Sequence, residues 1–249
     1  MKKFIISLTF TICAWLSFGQ NVQEHDSSWA KTPRYTPNRI NNLVHTKLKV
    51  SFDYTKAHLF GKAWITLTPH FSPTDSLTLD AKGMELHEIS IVGYEKTKIT
   101  HSYDGLKLNI KLPKTFKKGE QYTVYIDYTS KPNEFEALTG ADPMLGVKGL
   151  FFINPMGEIK DKPIQIWTQG ETESNSVWFP TIDQTQQKTT QELCMTVPSK
   201  YVSLSNGKLV SQTLNKDGTR TDYWKMDLPH SPYLFFMGVG DYAVIKDTW

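Results

Sequence analysis

Cysteine is scarce: Cys13 and Cys194 are the two in 249 residues. Cys13 falls inside an apolar leader and lacks the preceding small residues of a lipoprotein signal. Cys194 is then left alone, so a mature chain forms no internal disulfide and its stability has to come from packing. Histidines are few and wrongly spaced for a helical metal site. Among His25, His45, His58, His70, His87, His101 and His230 no two stand four apart. A His-Glu-x-x-His zinc site needs two imidazoles one turn apart with a water-activating glutamate between them. His87-Glu88 begins that pattern but meets Ile91 at the fifth position, within an expected strand, so the sequence holds no metal ligands and no catalytic residue of that type. A Gly-x-Ser-x-Gly elbow is also absent, and Gly238-Val239-Gly240 runs into Asp241-Tyr242 without the third glycine of a phosphate cradle. Neither sign of charge dominates, with 28 basic residues, Lys2 and Lys3 of the leader included, against 25 acidic ones. The aromatics are not interleaved with a basic stripe, which argues against nucleic acid or an anionic membrane as partner. The apolar run from Phe4 to Leu16 is too short for a transmembrane anchor.

What is present begins with the three parts of a secretory signal over residues 1–19. Lys2 and Lys3 start it, the apolar run follows, and Ser17-Phe18-Gly19 supplies small residues for cleavage. An exported protein, periplasmic, extracellular or held at the cell envelope, is expected. Residues 20–40 are polar and carry Pro33 and Pro37, which predicts a tail docked by Trp29 and Tyr35.

From residue 41 the pattern turns to period two. Val44, Thr46, Leu48, Val50 and Phe52 alternate with His45, Lys47, Lys49, Ser51 and Asp53, as a half-buried strand requires. Leu59 to Thr68 predicts its partner, with Ala63, Ile65 and Leu67 on one face. Leu77 to Leu79 and Met84 to Val92 predict two more strands. Leu106, Leu108, Ile110 and Leu112, then Tyr122, Val124, Ile126 and Tyr128, alternate with polar residues in the same way. Thr129 to Lys148 is rich in proline, glycine and acids and predicts a long functional loop. Beyond it, extended segments are expected at Gly149 to Phe152, Gln191 to Val197, Val202 to Ser205, around Thr213 and at Tyr223 to Met226. Turns are expected at Asn206-Gly207 and Asp217-Gly218. The apolar run Tyr233 to Val239 predicts one buried strand. No window holds a 3.6-residue apolar period, so the fold class is all-β, antiparallel, with little helix. On its strand, Cys194 is expected to be a buried, inert thiol. The acid pairs Glu134 and Glu136, and Glu171 and Glu173, are expected to be solvated.

Around Trp167-Thr168-Gln169-Gly170-Glu171 a polar loop follows an extended segment, and Trp178-Phe179-Pro180 turns the chain back toward Asp183 and Lys188. This stretch resembles the Thr-Gln-x-Glu … Phe-Pro-x-x-Asp signature in the N-terminal domain of the aminopeptidase N family of zinc metallopeptidases. Val197-Pro198 continues the likeness, and Tyr233-Leu234 through Val239-Gly240-Asp241-Tyr242 is similar to the segment that closes the family's first domain. The resemblance spans about residues 41–249 and implies a saddle-shaped β-sandwich domain packed on a separate zinc domain. The zinc cofactor is then expected only in that catalytic domain, which these residues do not contain. Gly83-Met84-Glu85 imitates the family's Gly-x-Met-Glu-Asn motif but continues with Leu86. Carried over by position, Gln169 lines the pocket for the first substrate side chain and Glu171 helps bind the peptide's α-amino group. Ser176 stands where the family has arginine, Asp183-Gln184-Thr185 replaces Asp-Glu-Pro, and Gly170 replaces an aromatic, which is expected to widen the pocket. The function implied is substrate recognition in an exported zinc aminopeptidase, inactive alone, with the peptide N-terminus and the catalytic domain as partners. The other reading is a stand-alone secreted β module that binds peptide, glycan or protein.

Overall fold

A computed structural model describes residues 38–139 and 148–245. The leader and the tail bearing Trp29 and Tyr35 lie outside the described residues. Strand β1 (Asn41–Asp53) pairs antiparallel with β2 (His58–Pro69), and β2 with β7 (Tyr122–Ser130), which carries β4 (Met84–Ile91) on its other edge. On its opposite side β1 meets β10 (Thr189–Pro198), followed by β13 (Thr219–His230) and β12 (Lys208–Leu214), which completes a seven-stranded sheet. The β1–β10 pair is parallel. The expectation of an antiparallel fold is corrected there, because sequence neighbours joined by short turns pair antiparallel while β1 and β10 meet from opposite halves of the chain.

Two smaller sheets complete the all-β architecture. One contains β3 (Thr74–Asp80), β6 (Lys107–Phe116) and β5 (His101–Tyr103). The other has the order β11 (Val202–Ser205), β14 (Met237–Gly240), β9 (Gln165–Thr168) and β8 (Leu150–Ile153). Leu48, Ala63, Ile65, Val124 and Ile126 of the large sheet share one buried cluster with Leu79 and Leu108 of the first small sheet and Ile166, Met237 and Val239 of the second. Each fully buried aliphatic side chain there contributes about 1.5–3 kcal/mol, so the alternation along the strands drives the three sheets together.

Several boundaries differ from the expected ones. A bulge between Leu43 and His45 shifts the start of β1. Leu43 therefore takes the core position and Val44 stays half-buried. Leu106 precedes β6 and is exposed, whereas Leu108, Ile110 and Leu112 are buried. The expected loop after Thr129 begins instead with the end of β7 and a helix, α1 (Pro132–Thr139). Its Phe135 is buried, and one such anchor in eight residues is too little periodicity to detect. Residues 140–147 lie outside the described ones. The run Tyr233 to Val239 is also not one strand: Pro232–Leu234 form a 3-10 turn and only Met237 onward extends. Cys194 is half-buried on the polar face of β10, and burial pushes its thiol up despite nearby Lys47 and Lys49.

Candidate functional site

Strand β9 delivers the signature residues to the surface. Alternation buries Ile166 and Thr168 and turns Gln165 and Trp167 outward; Gln169, next in phase, is exposed. The N–H of Gln169 donates to the carbonyl of Gly149 at 3.0 Å, extending the β8–β9 ladder by one rung. Gly170 then turns inward and is buried. A Cβ at that position would stand 2.1 Å from the Tyr233 carbonyl oxygen and 2.3 Å from Asn175 Nδ2, so the backbone needs glycine for close approach. The pocket-widening expected from Gly170 is therefore corrected: the space an aromatic would take is filled by the Tyr233 backbone and the Asn175 amide. Glu171 follows on an exposed turn that Ser174 closes by donating its N–H to the Gly170 carbonyl at 2.9 Å. Among the described residues, neither the Gln169 amide nor the Glu171 carboxylate has a hydrogen-bond or ion-pair partner.

Behind this edge the aromatic corner is fully buried. Asn175 Nδ2 donates to the carbonyls of Pro232 at 2.7 Å and Phe235 at 2.9 Å, while its Oδ1 accepts from Trp178 Nε1 at 2.7 Å. One amide thus ties the turn after Glu171 to the 232–235 segment, and this carbonyl capture helps break the expected strand there. Phe179 stacks on Phe235 with centroids 5.1 Å apart. From β7, the Tyr128 hydroxyl donates to the Trp178 carbonyl at 3.0 Å and the Ser130 hydroxyl to the Val177 carbonyl at 2.7 Å. Exposed Gln169 and Glu171 therefore stand on a rigid mount. Asn175 carries no sequence signal of its own, since a polar residue between Ser174 and Ser176 looks like ordinary loop.

Asp183 is hydrogen-bonded by the backbone of Ser176, while the Ser176 hydroxyl donates to the Glu173 carbonyl at 3.3 Å. The Ser176 N–H donates to Asp183 Oδ2 at 2.8 Å, and the Asp183 N–H donates to Asp80 Oδ2 at 2.9 Å. Asp183 Oδ1 is buried without a hydrogen-bond partner. Burial pushes its carboxyl up to about 6; the Ser176 hydrogen bond and Lys82 oppose that rise and Asp80 adds to it. Asp80 in turn pairs with Lys107 and bridges to Thr181 by two backbone hydrogen bonds. Lys188 is exposed beyond this corner.

The two imitations of metallopeptidase motifs are structural. His87 Nε2 lies 2.8 Å from Thr129 Oγ1 on the edge of the large sheet, and Gly83 sits under Phe135. Glu134 contacts His58 at 2.9 Å and Glu136 pairs with Lys148 at 2.7 Å. Among the described residues no three of His, Cys, Asp and Glu gather where they could hold a metal ion. No described helix is long and apolar enough to cross a membrane.

A family model described as Peptidase M1 N-terminal domain matches residues 38–234. The chain belongs to this family. The chain is 29% identical over 94 residues to leukotriene A-4 hydrolase of Xenopus laevis, covering 36% of this chain and 15% of that protein. It is 25% identical over 150 residues to transcription initiation factor TFIID subunit 2 of Danio rerio, covering 57% of this chain and 12% of the relative. Among solved structures, a two-domain M1 zinc metallopeptidase variant bound to L-arginine superposes with a TM-score of 0.67 at 18% identity, over 82% of this chain and 43% of that one. A mutant of the M1 zinc metallopeptidase of Deinococcus radiodurans bound to a Tyr-Ser-Ala substrate gives 0.63 at 18%, over 81% and 43%. At these identities the structures establish the fold. This M1 N-terminal domain chain spans less than half the length of those two-domain neighbours and under a fifth of the curated relatives.

Proposed function

We propose that this M1 N-terminal domain is the substrate-recognition part of an exported zinc aminopeptidase, whose catalytic domain and zinc lie in polypeptide outside these residues. The observation that carries the reading is Glu171, an exposed carboxylate without an intramolecular partner, on a turn anchored by Gly170 and Asn175. A peptide's α-ammonium group supplies the opposite charge, and a charge-assisted hydrogen bond to a fixed carboxylate is both strong and orienting. Binding measured from the amino end is what distinguishes an aminopeptidase from other peptidases, because it sets which bond reaches the chemistry. Gln169, two residues earlier and likewise exposed, lines the place of the first side chain. Export rests on the leader of Lys2, Lys3 and the apolar run.

The full chain is expected to bind a short peptide with a free amino terminus and to lose most of that binding when the amine is acetylated or when Glu171→Gln removes the charge. Calorimetric titration measures both. With added zinc and an aminoacyl chromogenic substrate, the chain alone is expected to give no turnover. Chelator-sensitive turnover, or equal binding of free and acetylated peptide, would overturn the reading. A binding module that is not part of a peptidase is the second reading, supported by the likeness to a TFIID subunit over 57% of this chain. Amine-independent capture of a folded protein partner would favour it.

A further inference from the structure

We propose that Lys82 is a positioning residue for the amine anchor: its ammonium tethers, through the Glu173 carbonyl, the exposed turn that presents Glu171. The proposal rests on the reading of Glu171 as the group that binds the peptide's α-ammonium. Glu171, Thr172 and Glu173 are all exposed, so packing does not fix this part of the turn. Its two ends are fixed, by the close approach of Gly170 to the Tyr233 carbonyl and by the bonds from Asn175 to Pro232 and Phe235. Between them the backbone closes from the Ser174 N–H to the Gly170 carbonyl, and the Ser174 hydroxyl adds a long bond of 3.4 Å to the Glu171 carbonyl. The Glu173 carbonyl is the point held from outside the turn. It accepts from the Lys82 ammonium and from the Ser176 hydroxyl, the latter at 3.3 Å.

The backbone of Lys82 belongs to the rigid mount. Asp80 and Thr181 exchange two backbone hydrogen bonds at 2.7 and 3.0 Å, the Ala81 N–H donates to the Leu106 carbonyl at 2.9 Å, and the Lys82 N–H donates to the Ser176 carbonyl at 2.8 Å. The Lys82 side chain therefore starts beside the segment that leaves the turn, from backbone that cannot drift. Its charge also opposes the rise that burial imposes on Asp183, so one ammonium serves the buried carboxyl and the exposed turn together. A hydrogen bond from a charged donor is stronger than one between neutral groups. A carboxylate already held in its binding geometry gains affinity because less ordering is left for the ligand to impose. The tether thus acts on the grip that Glu171 has on an amine, without touching the peptide itself.

The test titrates the full chain calorimetrically with Ala-Ala-Phe and with its N-acetylated form. Wild type is expected to prefer the free amine. Lys82→Met keeps the stem and removes the charged donor; it is expected to weaken binding of the free peptide about tenfold and to leave the acetylated one unchanged. Lys82→Arg supplies a cationic donor again and is expected to return the free peptide to within about threefold of wild type. Amide exchange at Thr172 to Ser174 should quicken in Lys82→Met and not in Lys82→Arg. Where Lys82→Met does not fold, Ser176→Ala removes the second donor to the Glu173 carbonyl, with a loss of about threefold expected for the free peptide only. A folded Lys82→Met chain that keeps the wild-type preference, or that loses both peptides equally, overturns the positioning role while the wild-type preference still supports the Glu171 reading. Lys82→Arg binding as weakly as Lys82→Met does the same. Equal binding of the two peptides by wild type, or no binding of either, overturns both.

Discussion

At the scale of single residues, Asp183 departs furthest from its sequence appearance. It is one of the residues that carry the family likeness, yet its place in the structure is a 2% exposed carboxyl beside Asp80, with Lys82 and Lys107 as the nearby cations. Because burial lifts its folded value from the ordinary 3.8 to about 6, the folded state holds this proton more firmly than the unfolded chain does. The stabilisation is complete below about pH 4 and is lost as the pH rises through 6, a change of up to about 3 kcal/mol. Asp183→Asn keeps an oxygen for the Ser176 N–H and removes the titration. Urea unfolding at pH 4, 5, 6 and 7 is expected to show the wild-type decline and a flatter profile for the variant; parallel profiles would disprove the assignment. Gln169 and Glu171 could be singled out as candidates because they lie inside a motif, and both are exposed. Asn175 and Asp80 could not, because their importance comes from carbonyls and amides that the fold brings from 57 and 103 positions away.

Among the elements, strands whose two faces differ were the readable ones. β2, β6, β7 and β10 alternate cleanly because one face meets the core and the other meets water. β12 is exposed along its whole length, so its pattern is weak, and its hold on β13 depends on polar chemistry instead. Asp222 is fully buried there. Burial opposes its ionisation, but Arg220, Ser203 and Gln212 donate to it and keep its carboxyl below the usual range. Arg220 also donates to the carbonyls of Ser199 and Tyr201 at 2.8 Å, joining the start of β11 to β13. Arg220→Ala leaves a buried carboxylate without its counter-charge, a defect that costs about 3–5 kcal/mol. Chemical denaturation should show that loss, and amide exchange should place it in β11 and β13; a change below about 1 kcal/mol would mean that the pair behaves as a surface bridge. The strand expected at Tyr233 to Val239 failed for a related reason, since periodicity cannot reveal that Asn175 will claim the carbonyls of Pro232 and Phe235.

For the molecule as a whole, the all-β class followed from alternation, whereas the sheet order did not. Nothing local in β1 announces that Leu48 will lie opposite Leu193. Both side chains are fully buried, and the Asn41 and Leu43 backbone is further secured by Gln187 at 2.9 and 3.0 Å. The first half of the chain therefore lacks a neighbour along β1 until the second half arrives. A chain ended at Thr139 keeps β1, β2, β4 and β7 but exposes the β10-facing edge of β1 and the apolar face that the second small sheet covers. It is expected to show no cooperative thermal transition by circular dichroism and little amide protection in β1. A sharp melt close to that of the full chain would show that the halves fold separately.

The parallel pairing of β1 with β10 also bears on the protein's birth. His45 bonds to Thr190, a residue synthesised 145 positions later. At ordinary ribosomal speed that is about 7–30 s of translation, during which a strand destined for the middle of the largest sheet has one side uncovered. A nascent chain of this design depends on being kept from premature pairing until its second half has emerged, so slowing elongation between the two strands should lower the yield of folded protein without changing any contact in the finished molecule.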